Sequence, residues 1–436
     1  EVGYFGPQLV QNGDFSQEGS ELITNGDFAT DSNWTKGTGT TISGGNANFV
    51  NANGVSLYQN IGTQSGFVKI TFNVTDYTSG TLNVYSGGNQ SVGSINVSAN
   101  ALGTYTAYVD RNGGNANIIF GSSDSFTGSI DNVSVKEVID GDFDFTRNSS
   151  ATRVNSQGLI EDITSNLPRI DYTGGVGHWL FEPQSTNLFL NSETLLTQGV
   201  STNAASYTVS FYGTGSITFS GTHTGTLNGT GVSDRVSLTF TALSGTLTST
   251  VSGSVTKAQV EALTFATSYI PTSGAISTRL QDAAFGAGSS DLINSEEGVL
   301  YAEVAALAEQ TLTRYITLSD GTSSNRIIIY ITDVGVIKFF VGVGGATQAA
   351  KTVTGQTTTN YNKLAVSYKE NDIKFYLNGV KVHTDTSALA FPVNTLNVIN
   401  FAASNGTSNK FFGKTKCLAV WKEALTDAEL TCLTTI

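Results

Sequence analysis

Methionine is absent from the 436 residues, proline occurs five times and cysteine twice, and charged residues make up only 13% of the chain. Each shortage excludes something. The three histidines, His178, His223 and His383, stand in separate segments with no H-x-x-x-H, H-E-x-x-H or Cys/His grouping, so no ligand set falls at zinc spacing. The G-x-S-x-G elbow and the phosphate-cradling glycine loop are also missing, which removes the usual signatures of acyl and phosphoryl transfer. With 22 Lys and Arg against 35 Asp and Glu, the formal charge is −13. No basic patch is available to release counterions from a phosphate backbone, so nucleic acid and anionic membrane are poor partners. No apolar run approaches the roughly 20 residues of a membrane-spanning helix. The chain opens on Glu1 without a basic, apolar leader, and reads as a processed or truncated piece.

The two cysteines, Cys417 and Cys432, leave two readings open. One is a bridge that pins a C-terminal helix to the strand before it; the other is a pair of buried thiols.

What is present is glycine, 48 residues of it, with threonine, serine and asparagine in short alternating runs. In Phe67–Val74, Val68, Ile70, Phe72 and Val74 share one face while Lys69, Thr71 and Asn73 share the other. Gly-Gly pairs at Gly44, Gly87 and Gly113 supply turns for antiparallel strands. In Ser129–Val135 the phase slips between Ile130 and Val133, which predicts a bulge at Asp131-Asn132. The fold class is therefore all-β, as tandem β-sandwiches with one short C-terminal helix. Thr426 and Glu429 give that helix a capping box, and Leu425 and Leu430 a hydrophobic staple. The expected divisions are an N-terminal extension (1–20), a first jelly roll (21–140), a connector (141–191), a small β-sandwich (192–283) and a larger C-terminal sandwich (284–436). The phrase QLVQNGDF at Gln8–Phe15 recurs as ELITNGDF at Glu21–Phe28, too close for a repeated domain. One copy should open the first jelly roll, and the other should add a strand within this chain or to a neighbour.

Carboxylates do not pair at a spacing that suggests hydrolysis. Glycosidases need two of them about 5–9 Å apart, and no E-x-D-x-E strand occurs; Glu296, Glu297 and Glu303 are the nearest candidates. Arg147, Arg153, Arg169, Glu161 and Glu182 in the connector read as ion pairs that fix neighbouring domains rather than as a site. Recognition is the remaining chemistry, because sugar rings stack on aromatic faces. Tyr58, Tyr85 and Tyr108 lie opposite the clearest apolar phase of the first sandwich and are the expected glycan-facing set, with half-buried packing as the plain alternative.

Two resemblances sharpen this reading. NGDF at Asn25–Phe28, Trp34 and SIDNVSVKEV at Ser129–Val138 resemble the first and last strands of carbohydrate-binding jelly rolls of the CBM4/9/22 type. That resemblance implies a structural calcium where the strands meet, with Asp131 as one ligand and Asp27 as a helper. Ala29, however, stands where the family carries an acidic ligand. It also implies a structural role for Trp34.

The phrases FDFTRNSSATRVNSQGLIE at Phe143–Glu161, PRIDY at Pro168–Tyr172 and LFEPQSTNL at Leu180–Leu188 resemble bacteriophage virion proteins. The same proteins carry phrases like ATSYIPT and TRLQD, found here within Lys257–Ala283, and end in a laminin-G or concanavalin-like lectin domain. FYLNGVKV at Phe375–Val382 resembles the hairpin of such lectins. What this implies is a virion surface or tail-fibre protein that attaches to host surface polysaccharide without catalysis. The implied localisation is the virion and the extracellular space, the implied partners are other virion proteins, and the implied assembly is a homo-oligomer such as a trimer. A purely structural capsid or fibre-shaft protein and a polysaccharide depolymerase are the alternatives. In the lectin domain the resemblance points to the loops Asp320–Arg326 and Ala403–Asn409, with Asp320 as a calcium ligand.

Overall fold

The computed structural model describes residues 21–62, 67–86, 95–110, 116–137 and 143–436. They fall into two compact units, residues 21–137 in one and residues 143–436 in the other. Apart from one helix, every regular element among the described residues is a strand.

In the first unit two long strands, Asn46–Asn60 and Asn117–Glu137, bend so that each serves both layers of a sandwich. Residues 47–49 pair with 128–130, whereas 54–60 pair with 117–122, and register shifts separate the two stretches. One layer adds Phe67–Ser79 and Gly103–Asp110, and the other adds Leu82–Ser86 and Ile95–Ala99. Phe72 and Phe120 meet edge-to-face across the core with ring centroids 5.1 Å apart. The predicted bulge is present. Thr71 pairs with Ser134 but Asn73 with Asp131, so Phe72 faces two residues, and Asn132 takes φ 52°.

The second NGDF phrase lies along this closing strand. Leu22 N donates to Val135 O and Val133 N to Gly26 O, each at 2.8 Å. A Cβ at Gly26 would sit 2.0 Å from the Val133 oxygen, so only glycine fits. The first copy, Gln8–Phe15, is outside the described residues.

The second unit holds two sandwiches. The smaller packs Gln198–Thr202, Gly245–Ser252, Ser216–Gly221 and Gly225–Asn228 against Gly231–Ala242, Ala205–Gly213 and Thr256–Glu261. Phe189, Phe211, Phe219 and Leu247 lie in its core. Its many threonines suit strands with one partly wet face.

The larger sandwich packs a seven-stranded sheet against a five-stranded one. The seven strands run Ile170–Asp171, His178–Phe181, Gly413–Trp421, Glu297–Ala306, Asn362–Lys369, Ile373–Leu377 and Val380–Asp385. The five run Ala346–Val353, Ile337–Val343, Arg326–Ile331, Arg314–Ser319 and Val398–Asn400. Asn378 and Gly379, with φ 50° and 80°, form the two-residue turn predicted for the last hairpin of the larger sheet.

The first two strands of that sheet come from the stretch expected to be a connector, and Trp179 and Phe181 from it are wholly buried in the core of the larger sandwich. The segment is an integral edge of the sandwich because its aromatic run HWLF is what closes one end of the core. The helix Asp427–Thr434 covers the outer face of the seven-stranded sheet, placing Leu425 and Leu430 on Val299, Tyr301, Tyr376 and Trp421. Both halves of the expected capping box form. No helix among the described residues is long and apolar enough to cross a membrane.

Candidate functional site

The charges of the connector gather in one buried cluster. Arg147, Arg169, Glu182, Arg279 and Asp282 all lie at the ends of short strands, which brings five polar side chains to a single point. Arg147 Nη1 donates to Asp282 Oδ1 at 3.0 Å, Arg169 Nη2 donates to Asp282 Oδ2, and the backbone N of Glu182 donates to the same Oδ2 at 2.8 Å. Glu182 lies 2.9 Å from Arg169 Nη1 and 3.5 Å from Arg279 Nη1, and accepts from Ser268 N and Oγ at 2.7 and 2.6 Å. Carbonyls of Ser149, Thr164, Thr152 and Pro183 take further guanidinium protons.

Burial works against each of these charges, and the partners decide the outcome. Arg147 is left at about 10, because desolvation outweighs Asp282. Asp282 and Glu182 outweigh burial at Arg169 and hold it above the usual guanidinium range. Arg279 and Arg169 likewise outweigh burial at Glu182 and hold it at about 2. This is a sealed ionic joint rather than a reaction centre, since every member is almost wholly buried. The reading of Arg147, Arg169 and Glu182 as structural ion pairs agrees with it. Arg153 and Glu161 form a separate pair, 2.6 Å apart, on the hairpin Ala151–Val154/Ile160–Ile163.

His178 stands 3.6 Å from Asp171, and both are buried. Burial pushes the imidazole below its ordinary value despite Asp171. Its Nδ1 faces the Val176 carbonyl at 3.2 Å, so the ring is committed to the interior.

The carboxylates considered for calcium are each engaged by their own loops. Asp131 accepts from Asn132 N at 2.6 Å and Asn132 Nδ2 at 3.1 Å, and Asp27 accepts from Ala29 N at 3.3 Å. Asp320 accepts from Thr322 N, Thr322 Oγ1 and Asn325 Nδ2 at 2.7–2.8 Å. Burial raises the Asp320 carboxyl, but the Asn325 and Thr322 bonds prevail and lower it. Among the described residues no three His, Cys, Asp or Glu side chains converge to hold an ion. Calcium takes about six to eight oxygens, so backbone carbonyls would have to supply most of a site beside any one of these carboxylates.

No disulfide joins Cys417 and Cys432. Cys417 packs beneath the helix, while Cys432 lies exposed, two residues beyond the buried Leu430 and so on the opposite side of the helix.

Of the expected aromatic set, Tyr58 and Tyr85 do reach one face, each beside Ile119 in a cross-strand row. Tyr85 is 4% exposed and its hydroxyl accepts from Asn83 Nδ2 at 3.2 Å, so it is a packing residue. Tyr58 is half-buried, and the Tyr108 side chain lies outside the described residues. Trp34 is structural, as the resemblance implied: it is buried against Phe28 and Phe120 and donates to Asn25 O at 2.9 Å.

The aromatic surface that sequence reading missed is the outer face of the five-stranded sheet. Ile316, Leu318, Ile327, Ile329, Ile337 and Phe339 point into the core, so their neighbours Tyr315, Tyr330 and Phe340 point outward. Tyr315 and Tyr330 are cross-strand partners, with ring centroids 4.9 Å apart at 61°. Tyr330 pairs with Lys338, whose Nζ lies 5.9 Å from the tyrosine ring, and Ile328 pairs with Phe340. The Arg326 guanidinium carbon sits 5.1 Å from the Phe340 ring. All five of Tyr315, Arg326, Tyr330, Lys338 and Phe340 are half-buried. Rings held this way cost little to order, and half-exposed rings are the kind of surface on which the apolar face of a sugar packs.

The loops pointed to by resemblance border this face. The turn Asp320–Asn325 joins the strands of Tyr315 and Arg326, and Tyr315 N donates to Asn409 O at 3.0 Å. Residues 303–431 match the Concanavalin A-like lectin/glucanases superfamily. The aromatic face and both of its bordering loops lie inside that match. No curated protein matches the chain. Among solved structures, the Ruminococcus gnavus IT-sialidase CBM40 bound to α2,3-sialyllactose is 17% identical, covers 35% of this chain and 94% of its own, and gives a TM-score of 0.30. Domain 4 of AbnA, a GH43 extracellular arabinanase from Geobacillus stearothermophilus in complex with arabinotriose, is also 17% identical. It covers 36% of this chain and 73% of its own, with a TM-score of 0.28.

Proposed function

We propose that this chain is a virion surface or tail-fibre component that holds host surface polysaccharide, without cutting it, on the outer face of the five-stranded sheet. The observation that carries the glycan reading is the Tyr315–Tyr330 pair with Phe340 beside it, on the sheet face opposite the core and inside the segment that matches the lectin superfamily. The helix covers the corresponding face of the other sheet, which leaves this one to a ligand. The long phrases from Phe143 to Leu188 support the virion reading by their resemblance to phage proteins. They also have a structural purpose, since Arg147, Arg169 and Glu182 from them build the buried joint. Asp320, the carboxylate bordering this face, caps its own turn.

A glycan array probed with the intact chain tests this reading, followed by size analysis of any bound polysaccharide after long incubation. The expected result is selective binding with polymer length unchanged. Shortened product would replace attachment with depolymerisation. A flat array together with tight binding to a purified capsid or tail protein would make the chain a structural virion component.

A further inference from the structure

We infer that the glycan taken by this face is acidic, carrying carboxylates, which deepens the proposal above and rests on it. The chain as a whole is acidic by 13 charges, yet its charge is unevenly spread. The five strands Arg314–Ser319, Arg326–Ile331, Ile337–Val343, Ala346–Val353 and Val398–Asn400 contain four cations and not one Asp or Glu. Arg314 is buried and its guanidinium donates to the carbonyls of Leu312 and Ala308, and Lys351 follows the inward phase at the sheet edge. Arg326 and Lys338 remain, and both project from the outer face beside the rings.

Neither Arg326 nor Lys338 has an ion-pair partner among the described residues, whereas Lys36 and Lys257, for example, do. Asp320 at the border bonds only neutral groups, Thr322 and Asn325, and keeps its charge. The Arg326 Nε is buried without a hydrogen-bond partner. Arg326 and Lys338 therefore put two cations beside aromatic rings on this face of a molecule whose net charge is negative. A neutral sugar would use the rings and leave these charges idle. A sugar with a carboxylate would use both, the ring face on Tyr330 or Phe340 and the charge on the fork of Arg326 or the ammonium of Lys338. The overall negative charge would repel such a polymer everywhere else, which concentrates binding on this face.

The test compares carboxylate-bearing polysaccharides (polygalacturonate, alginate and hyaluronan) with the carboxyl-reduced, neutral form of each. Affinity of the intact chain for every pair is measured at low and at physiological salt. The expected result is preference for at least one acidic polymer over its reduced form, narrowing as salt rises. The double variant Arg326→Gln with Lys338→Gln should bind that polymer about tenfold more weakly, the effect of two half-exposed charge contacts, with a smaller loss for the reduced form, so that the acidic preference disappears. Equal binding of acidic and reduced forms, or an acidic preference that survives the double substitution, overturns the inference and leaves the glycan reading standing. If neither form of any polymer binds and the array is flat as well, the glycan reading itself fails.

Discussion

Asp282 is the single atom group on which the buried joint converges: both its oxygens are occupied, by Arg147 on one side and by Arg169 and the Glu182 backbone on the other. Removing its charge leaves Arg147 without a carboxylate in a dry interior and Arg169 with Glu182 alone, which costs about 3–5 kcal/mol. Asp282→Asn is therefore expected to lower the denaturant midpoint strongly with little change of slope, and a midpoint within error of the parent would disprove the joint. Acid titration reads the same residues. Glu182 is depressed from 4.5 to about 2, so its contribution is fully present above pH 4.5 and is lost as pH falls toward 2. His178 is also depressed, so the stability linked to it is present above 6.5 and begins to fall once pH drops below that value. The acid limb of a stability profile should then show two phases, and His178→Gln should remove the upper one while leaving the lower. At this scale the sequence was partly legible. Arg147, Arg169 and Glu182 read as structural ion pairs because they are scattered along a segment poor in apolar residues. Arg279 and Asp282 were passed over, because they join the group only through strand pairing across about a hundred residues of chain.

Among the elements, the C-terminal helix was the most legible, since its start is written in side chains that bond to their own backbone. Its eight residues cannot hold a helix alone. The capping box and the contact of Leu430 with the sheet supply what propensity does not. Thr426→Ala should cost about 1 kcal/mol, read by chemical denaturation, and an effect below ~0.3 kcal/mol would mean that the cap is idle. The five-stranded sheet was the least legible element for function. RIIIYI and IKFFVGV are apolar on both phases, so alternation cannot tell which of their faces is wet. One signal was available: Arg326, Tyr330, Lys338 and Tyr315 share a phase, and a phase that gathers most polar tips of neighbouring strands is the outer one. Tyr85 failed in the opposite way. It alternates correctly away from the core, yet Asn83 and the adjoining strand Ile95–Ala99 enclose it.

At the scale of the molecule, the all-β class and the three sandwiches follow from alternation and turn residues, but the modular boundaries do not. Residues 141–191 were expected to connect, yet Ile170–Asp171 and His178–Phe181 are two strands of the seven-stranded sheet, and Phe143, Trp179 and Phe181 lie in the core beneath it. Linker-like composition cannot reveal that a chain returns to complete a distant sheet. A fragment of residues 284–436 should accordingly be insoluble or molten, whereas 143–436 should unfold cooperatively; a well-dispersed amide spectrum from the shorter fragment would refute this. The account as a whole stands on one surface, and hydroxyl-radical footprinting of the intact chain with and without its best array glycan tests it directly. Protection concentrated at Tyr315, Tyr330 and Phe340 is the expected result. Protection at Tyr58 with those three rings unchanged would place recognition in the other unit and contradict the account.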